Sequence, residues 1–200
     1  MSDSPLPVAV VPRLRGRLGR ELRFVARCPS TQRLLPPDAP EGAVATTDYQ
    51  TAGRGRLGRE WLAPPGTSVL CSVVLRPEVE SARLPGLSLV AGRACAEAIR
   101  DVTGLEPAIK PPNDVLLSGR KVAGILAEAS DGRVVLGIGV NVHQSVDGLP
   151  AGTDPPATSL RVDTGAAVDR RDLLVALLER LERHYEAWLA SAQRHAPVDE

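Results

Sequence analysis

Apolar residues crowd both alternating sets of positions across 67–77, TSVLCSVVLRP, and Pro77 ends the run. That pattern predicts a strand buried on both faces. FVARC (24–28), stopped by Pro29, and AVATTDY (43–49) predict two more strands. KVAGILAEAS (121–130) and RVVLGIGVNVH (133–143) are apolar runs separated by Asp131-Gly132, a type I′ hairpin signal. PAIK (107–110) and VLL (115–117), with a turn at Ser118-Gly119, complete a meander ahead of that hairpin. Two segments switch to helical spacing. Residues 87–102 are Ala-rich, with Gly104 placed as a C-cap. Residues 169–190 carry an apolar stripe of Leu173, Leu174, Leu177, Leu178, Leu181, Tyr185, Trp188 and Leu189, with Asp169 or Asp172 as cap. Leu14, Leu18 and Leu22 predict a short basic helix within 13–23, weakened by Gly16 and Gly19. Ser30-Thr31-Gln32 predicts a short helix before Pro36-Pro37. Residues 1–12 read as loose and 144–168 as loop. The sum is an α+β (α/β-type) domain, a mixed and largely antiparallel sheet packed on helices. The strands do not alternate with helices, which disfavours a dinucleotide-binding fold.

Length and charge narrow the function. Two hundred residues fit one domain. Net charge is zero, so bulk charge points to neither nucleic acid nor membrane. Aromatic residues are only Phe24, Tyr49, Trp61, Tyr185 and Trp188, too few for base-stacking platforms. Cys28, Cys71 and Cys95 are scattered, and His143, His184 and His195 have no ligand spacing, which argues against zinc. Three unpaired thiols, without a secretory leader or membrane-length apolar run, predict a cytoplasmic protein.

The basic residues are 22 Arg and only 2 Lys, Lys110 and Lys121. Both lysines lie in KPPNDVLLSGRKVAGILAE (110–128). A lysine is a compact charge on a flexible stem, able to enter a slot that the planar Arg fork cannot. Lys121 starts an otherwise apolar strand, so its ammonium is expected at a pocket mouth, facing an oxygen that gains charge in acyl or phosphoryl chemistry. Pro111-Pro112 predicts an extended path and Asn113-Asp114 a turn, whose carboxylate could face a divalent metal. The loop from Gln50 to Trp61, QTAGRGRLGREW, interleaves Gly with Arg54, Arg56 and Arg59. Glycines permit close backbone approach and arginines bind phosphate or carboxylate, so the loop reads as an anion-binding lid. It is not a P-loop, since no Gly-Lys-Ser/Thr follows. Gly137-Ile138-Gly139-Val140-Asn141 places glycines inside a strand, where a ligand could lie on the backbone.

Taken together, Ser30-Thr31-Gln32, the 50–61 loop, Lys110 to Val115, Arg120 to Glu128 and Gly137 to Asn141 resemble the catalytic domain of biotin protein ligases, in order and spacing over roughly residues 24–190. The resemblance implies a class II aminoacyl-tRNA synthetase-like fold and a two-step ligase. Biotin would be activated by ATP as biotinyl-AMP, with Mg2+, and passed to a lysine of a biotin carboxyl carrier domain. It implies catalytic roles for Lys121, Arg54 and Arg56. It implies a biotin site from Ser30, Thr31, Gln32, Gln50, Gly53, Arg54, Gly55, Arg56, Lys121, Gly124 and Gly137. Arg56, Arg59, Trp61, Lys110, Asn113, Asp114 and Asn141 would bind ATP, and Asp114 would face the metal. Both lysines are expected on the same acyl-adenylate. The family motif usually reads Lys-Trp-Pro-Asn-Asp, and Pro111 at the Trp position implies looser packing beside the nucleotide. The expected organisation is an N-terminal segment (1–23), a catalytic domain (24–192) and a tail (193–200), without the C-terminal β-barrel or DNA-binding helix-turn-helix of some relatives. A homodimer through a sheet edge fits this architecture. The alternatives are a lipoate or octanoate ligase-like enzyme, or a weakly catalytic module that binds biotin or its adenylate.

Overall fold

The computed structural model describes residues 9–194. Seven strands form one sheet in the order β1-β2-β3-β7-β6-β5-β4. They are β1 (Leu22–Cys28), β2 (Val44–Gln50), β3 (Ser68–Leu75), β4 (Ala108–Lys110), β5 (Asp114–Leu117), β6 (Arg120–Ser130) and β7 (Arg133–Asn141). Only β1 and β2 run parallel; every other pair is antiparallel. The helices are α1 (Gly86–Thr103), α2 (Leu160–Thr164) and α3 (Arg170–Arg194). None is long and apolar enough to cross a membrane.

All eight residues of β3 are buried, as its unbroken apolar pattern requires. Cys71, Val73 and Leu75 share the main core with Leu87, Ala91, Ala94 and Ile99 of α1 and with Leu174, Leu177, Leu181 and Tyr185 of α3. Val74 joins Leu35, Ala39, Ala43, Ala45 and Val135 in a smaller cluster. Turn chemistry sets the β6–β7 register. Asp131 (φ 50°) and Gly132 (φ 73°) both adopt the left-handed conformation of a type I′ turn, as do Ser118 (φ 49°) and Gly119 (φ 75°) between β5 and β6. Gly104, at φ 72°, ends α1. Asp169 accepts the Arg171 N–H at 2.7 Å at the start of α3, whereas Asp172 pairs with Arg13. The Arg171 guanidinium holds the Asp169 carboxyl below its usual range.

Five expectations need correction. Residues 9–10 are helical, residues 11–13 form a 3-10 turn and Val10 is fully buried, so 9–12 are not loose. No helix forms at 14–21. There the backbone N–H groups of Arg17 and Leu18 donate to the Glu182 carboxylate of α3, at 2.8 and 3.4 Å. That tertiary acceptor outcompetes a weak glycine-broken helix. Within 144–168, a 3-10 turn (146–148) and α2 interrupt the loop. The fourth correction concerns 111–113, which turn rather than extend. Lys110 pairs directly with Asp114, so the chain must reverse within three residues, and the Pro111–Pro112 peptide is cis. Fifth, α3 runs four residues beyond 190 to Arg194, into the expected tail. Residues 1–8 and 195–200, including His195, lie outside the described residues.

The seam between the N-terminal segment and α3 yields a stability prediction. A Cβ at Gly16 would stand 1.6 Å from Glu182 Oε2. Alanine there must expel the carboxylate from the Arg17 and Leu18 amides. Gly16→Ala should cost about 1–3 kcal/mol. A melting curve should then fall by roughly 2–4 °C per kcal/mol. An unchanged midpoint would show that the seam contributes nothing.

Candidate active site

The strands place their small and polar residues around a cavity of about 630 Å³, within the range of small-molecule sites. Ser30, Thr31, Gln32 and Gln50 line it. So do Arg54, Gly55, Arg56, Arg59 and Trp61 of the Gly/Arg loop, Asn113, Asp114, Lys121 and Gly124 of the β5–β6 region, and Gly137, Gly139 and Asn141 of β7. Residues from segments more than a hundred positions apart thus converge on one space.

Lys121 reaches it through a β-bulge. On β5–β6, Val115 pairs with Ala123 but Leu116 pairs with Lys121, so Val122 is an extra residue on β6. Val122 and Ala123 are consecutive and both fully buried. The inserted residue reverses the alternation, so Lys121 shares a face with Gly124 although three positions separate them. A Cβ on Gly124 would lie 3.2 Å from Lys121 Cε. Lys121 Nζ pairs with Asp114 Oδ1 at 2.7 Å. It also sits 5.8 Å from the Trp61 ring centroid, a cation–π contact.

The Gly/Arg loop is a small irregular hairpin. Trp61 donates its N–H to the Gly53 carbonyl at 3.0 Å, and Gly55 donates to Arg59 O at 2.7 Å. Leu57 (φ 56°) and Gly58 (φ 75°) form its tip. Leu57 is 90 % exposed. The loop already leans on the sheet. Arg54 pairs with Glu128 at 2.7 Å, and Arg56 donates to Asn113 Oδ1 at 3.2 Å. The Trp61 indole lies over Gly124 and Gly139, where added Cβ atoms would come within 2.9 and 2.6 Å of the ring. These glycines therefore admit an indole, and its Nε1 is buried without a hydrogen-bond partner.

Among the neutral groups of the lining, Thr31 N–H donates to Gln50 Oε1 at 2.8 Å, and Thr31 Oγ1 is 2.7 Å from Ser72 Oγ. Gln32 donates Nε2 to Glu128 Oε2 at 3.1 Å, while its Oε1 is buried and unpaired. The Gln32 side chain fills the space above Gly137. Lys110 stands apart, exposed on edge strand β4 and absent from the lining. Gly53 supports the loop's base rather than lining the cavity.

Three features escaped sequence reasoning. Glu128 bridges Arg54 and Gln32; the alternation of β6 could have signalled its face. The segment 150–157 closes one side of the cavity. The bulge leaves no composition signal. Among the described residues, no group of three or more His, Cys, Asp or Glu could hold a metal.

Cys28, Cys71 and Cys95 are free and buried. Burial pushes the Cys71 and Cys95 thiols up to about 12, and raises Cys28. Thiols raised on folding add stability that is complete below their ordinary value of 9.0 and is lost as pH rises toward 12. At about pH 8, iodoacetamide should leave Cys71 and Cys95 unmodified in folded protein and label all three after denaturation. Rapid native labelling of either would contradict their burial.

The fold and cavity have counterparts among known proteins. A family model of the biotin/lipoate A/B protein ligase family matches residues 24–145. The bifunctional ligase/repressor BirA of Bacillus spizizenii is 36% identical over 181 residues, covering 86% of this chain and 56% of that protein. The biotin--[acetyl-CoA-carboxylase] ligase of Paracoccus denitrificans is 39% identical, covering 80% of this chain and 75% of its own length. A biotin protein ligase from Aquifex aeolicus, solved in complex with biotin and ATP, superposes with a TM-score of 0.78 at 33% identity, over 86% of this chain and 73% of that one. The chain spans little more than half of the BirA relative. The shared fold is that of the biotin protein ligases, with the class II synthetase-like mixed sheet expected from the sequence. This chain belongs to the biotin/lipoate A/B protein ligase family.

Proposed function

We propose that this chain activates biotin with ATP as biotinyl-AMP and transfers the biotinyl group to a lysine of a biotin carboxyl carrier domain. The observation that carries the reading is the cavity's mixed chemistry, in which neutral polar groups, a cluster of arginines and Lys121 line one space. The lining offers neutral polar groups, Ser30, Thr31, Gln32 and Gln50. The unpaired, buried Gln32 Oε1 is an acceptor suited to a ureido N–H. The same lining carries Arg54, Arg56 and Arg59 with Asn113 and Asp114, and Glu128 links Arg54 to Gln32.

In the first step a biotin carboxylate oxygen attacks the α-phosphorus of ATP and pyrophosphate leaves. Both reactants are anionic, so the arginines offset their repulsion. Arg54 must exchange Glu128 for substrate, and Arg56 must release Asn113. Lys121 faces the acyl-phosphate oxygens and stabilises charge that grows in the transition state. In the second step the carrier's lysine amine attacks the acyl carbon and AMP leaves. Trp61 and Asn141, both in the cavity lining, flank the nucleotide in this reading, and the closed loop excludes water. Lys110 can contribute only from outside the cavity.

Mg2+ would arrive with ATP. A magnesium ion riding on phosphates needs only one or two carboxylates, and Asp114 supplies one beside the site. Its Lys121 partner would have to yield part of that contact. Free buried thiols suit a reducing compartment such as the cytoplasm. β1 and β4 each have one open edge, the surfaces a homodimer through the sheet would use. The test is biotinylation of an isolated carrier domain, read by intact mass with biotin and ATP present. Mass gain at one lysine is the expected result; an unmodified carrier beside active enzyme from Aquifex aeolicus would reject the reading.

A further inference from the structure

We infer that Asp163 is a positioning residue for Lys121, acting through the backbone segment 156–158 that brackets Lys121; the catalytic part of this inference rests on the adenylation reading above. β7 pairs with β6 only from Ala123 onward, so Lys121 lies beyond its reach. Another strand-like segment takes over. Lys121 N–H donates to Pro156 O at 2.7 Å, and Thr158 N–H donates to Lys121 O at 2.8 Å. Both backbone groups of Lys121 are therefore held by 156–158, in a parallel bridge with Ala157.

Asp163 locks that bracket from behind. Its Oδ2 accepts the Thr158 hydroxyl at 2.6 Å, and its Oδ1 accepts from Arg120 Nη2 at 2.7 Å. One carboxylate thus ties the residue before Lys121 to the residue that grips the Lys121 carbonyl. Its side chain is only 8 % exposed, so the contacts are shielded from water. The carboxylate is itself fixed on α2. Ser159 caps that helix, accepting from Val162 N–H at 3.2 Å and donating to Gln144 O at 2.7 Å. Arg161 N–H donates to Val142 O at 2.8 Å, joining α2 to the end of β7. Asn141, on the cavity wall, adds a bond from Nδ2 to Thr158 O at 3.0 Å. Asp163 does not line the cavity. Its influence reaches the reaction through where it sets the Lys121 backbone, just before a bulge whose shape decides the direction of the side chain.

The test uses Asp163→Asn, which keeps shape but removes charge, and Thr158→Val, which removes one bond and keeps volume. Amide hydrogen exchange read on peptides spanning 119–123 and 156–160 needs no substrate. Faster exchange that is largest in these two segments, with a melting midpoint lowered by only a few degrees, about 2–4 °C per kcal/mol, is the expected result. Wild-type protection in both variants would overturn the inference, as would acceleration spread evenly over the sheet. In biotin-dependent pyrophosphate exchange, turnover should fall about ten- to hundredfold, the effect of misplacing a reacting group. KM for biotin and ATP should stay within about twofold, since uniform binding is untouched. On a Lys121→Ala background the Asp163→Asn loss should vanish; losses that multiply would show that Asp163 acts independently of Lys121. Should wild type exchange lipoate instead of biotin, the same cycle run with lipoate applies. A silent wild type would reject the adenylation reading, and the hydrogen-exchange result would still decide the structural link.

Discussion

Replacing Lys121 with alanine should slow adenylate formation by a factor corresponding to about 2–4 kcal/mol of barrier, the range for losing one preorganised charge stabiliser. Two side effects must be separated from that loss. Alanine also removes the stem that packs beside Trp61 and Gly124, and it leaves the Asp114 carboxylate, 16 % exposed, without its cation. Lys121→Met keeps most of the stem and removes only the charge. If Lys121 stabilises the transition state, both variants should lose turnover alike, with KM for biotin and ATP little changed. Asp114→Asn combined with Lys121→Met should recover stability without recovering rate. A Lys121→Met protein that turns over near wild type would remove the ammonium from the mechanism.

Gly53→Ala should also have a large effect, through geometry rather than charge. A Cβ there would lie 2.3 Å from the Trp61 carbonyl oxygen, a backbone atom that cannot rotate aside. Either Gly53 or Trp61 must move, and the hydrogen bond closing the hairpin, Trp61 N–H to Gly53 O, breaks with it. The displacement carries to the indole over Gly124 and Gly139, and to Arg54 and Arg56 in the same hairpin. Overpacking of this kind costs roughly 1–3 kcal/mol of stability. The expected outcome is at least a tenfold lower turnover, because arginines misplaced by about 1 Å lose most of their alignment. Gly92→Ala is the matched control. Its Cβ would meet only Ile109 Cγ2, at an ordinary 3.7 Å, within α1. That change should leave activity intact and stabilise the protein by about 0.4–1 kcal/mol. Normal activity in Gly53→Ala would mean that the loop's seating on Gly53 is irrelevant to the site.

The parts of this fold that follow local rules were legible in the chain. Asp131-Gly132 demanded a left-handed turn and Ser118-Gly119 a turn, and both formed, each with positive φ at its two residues. The unbroken apolar run of β3 and the leucine stripe of α3 were read from spacing alone. The composition of the cavity lining was legible too, because the clustered arginines of the 50–61 loop and the solitary Lys121 leave a compositional mark. What failed were features decided by tertiary partners. The 14–21 segment is shaped by a carboxylate more than 160 residues away. The face that Lys121 presents depends on one inserted residue, Val122, which looks like any other strand valine. Lys110 matched its motif, yet its three-residue strand sits at the sheet's edge and leaves it outside the cavity. The grip of 156–158 on Lys121 comes from backbone groups, which every residue carries and no sequence pattern advertises.

The most direct measurement is exchange of labelled pyrophosphate into ATP, run in parallel with biotin, lipoate and octanoate, for wild type and Lys121→Met. The account predicts exchange that depends on biotin, is absent with the other two acids, and falls sharply in the variant. Exchange driven by lipoate or octanoate, or equal biotin-driven exchange in both proteins, would contradict it.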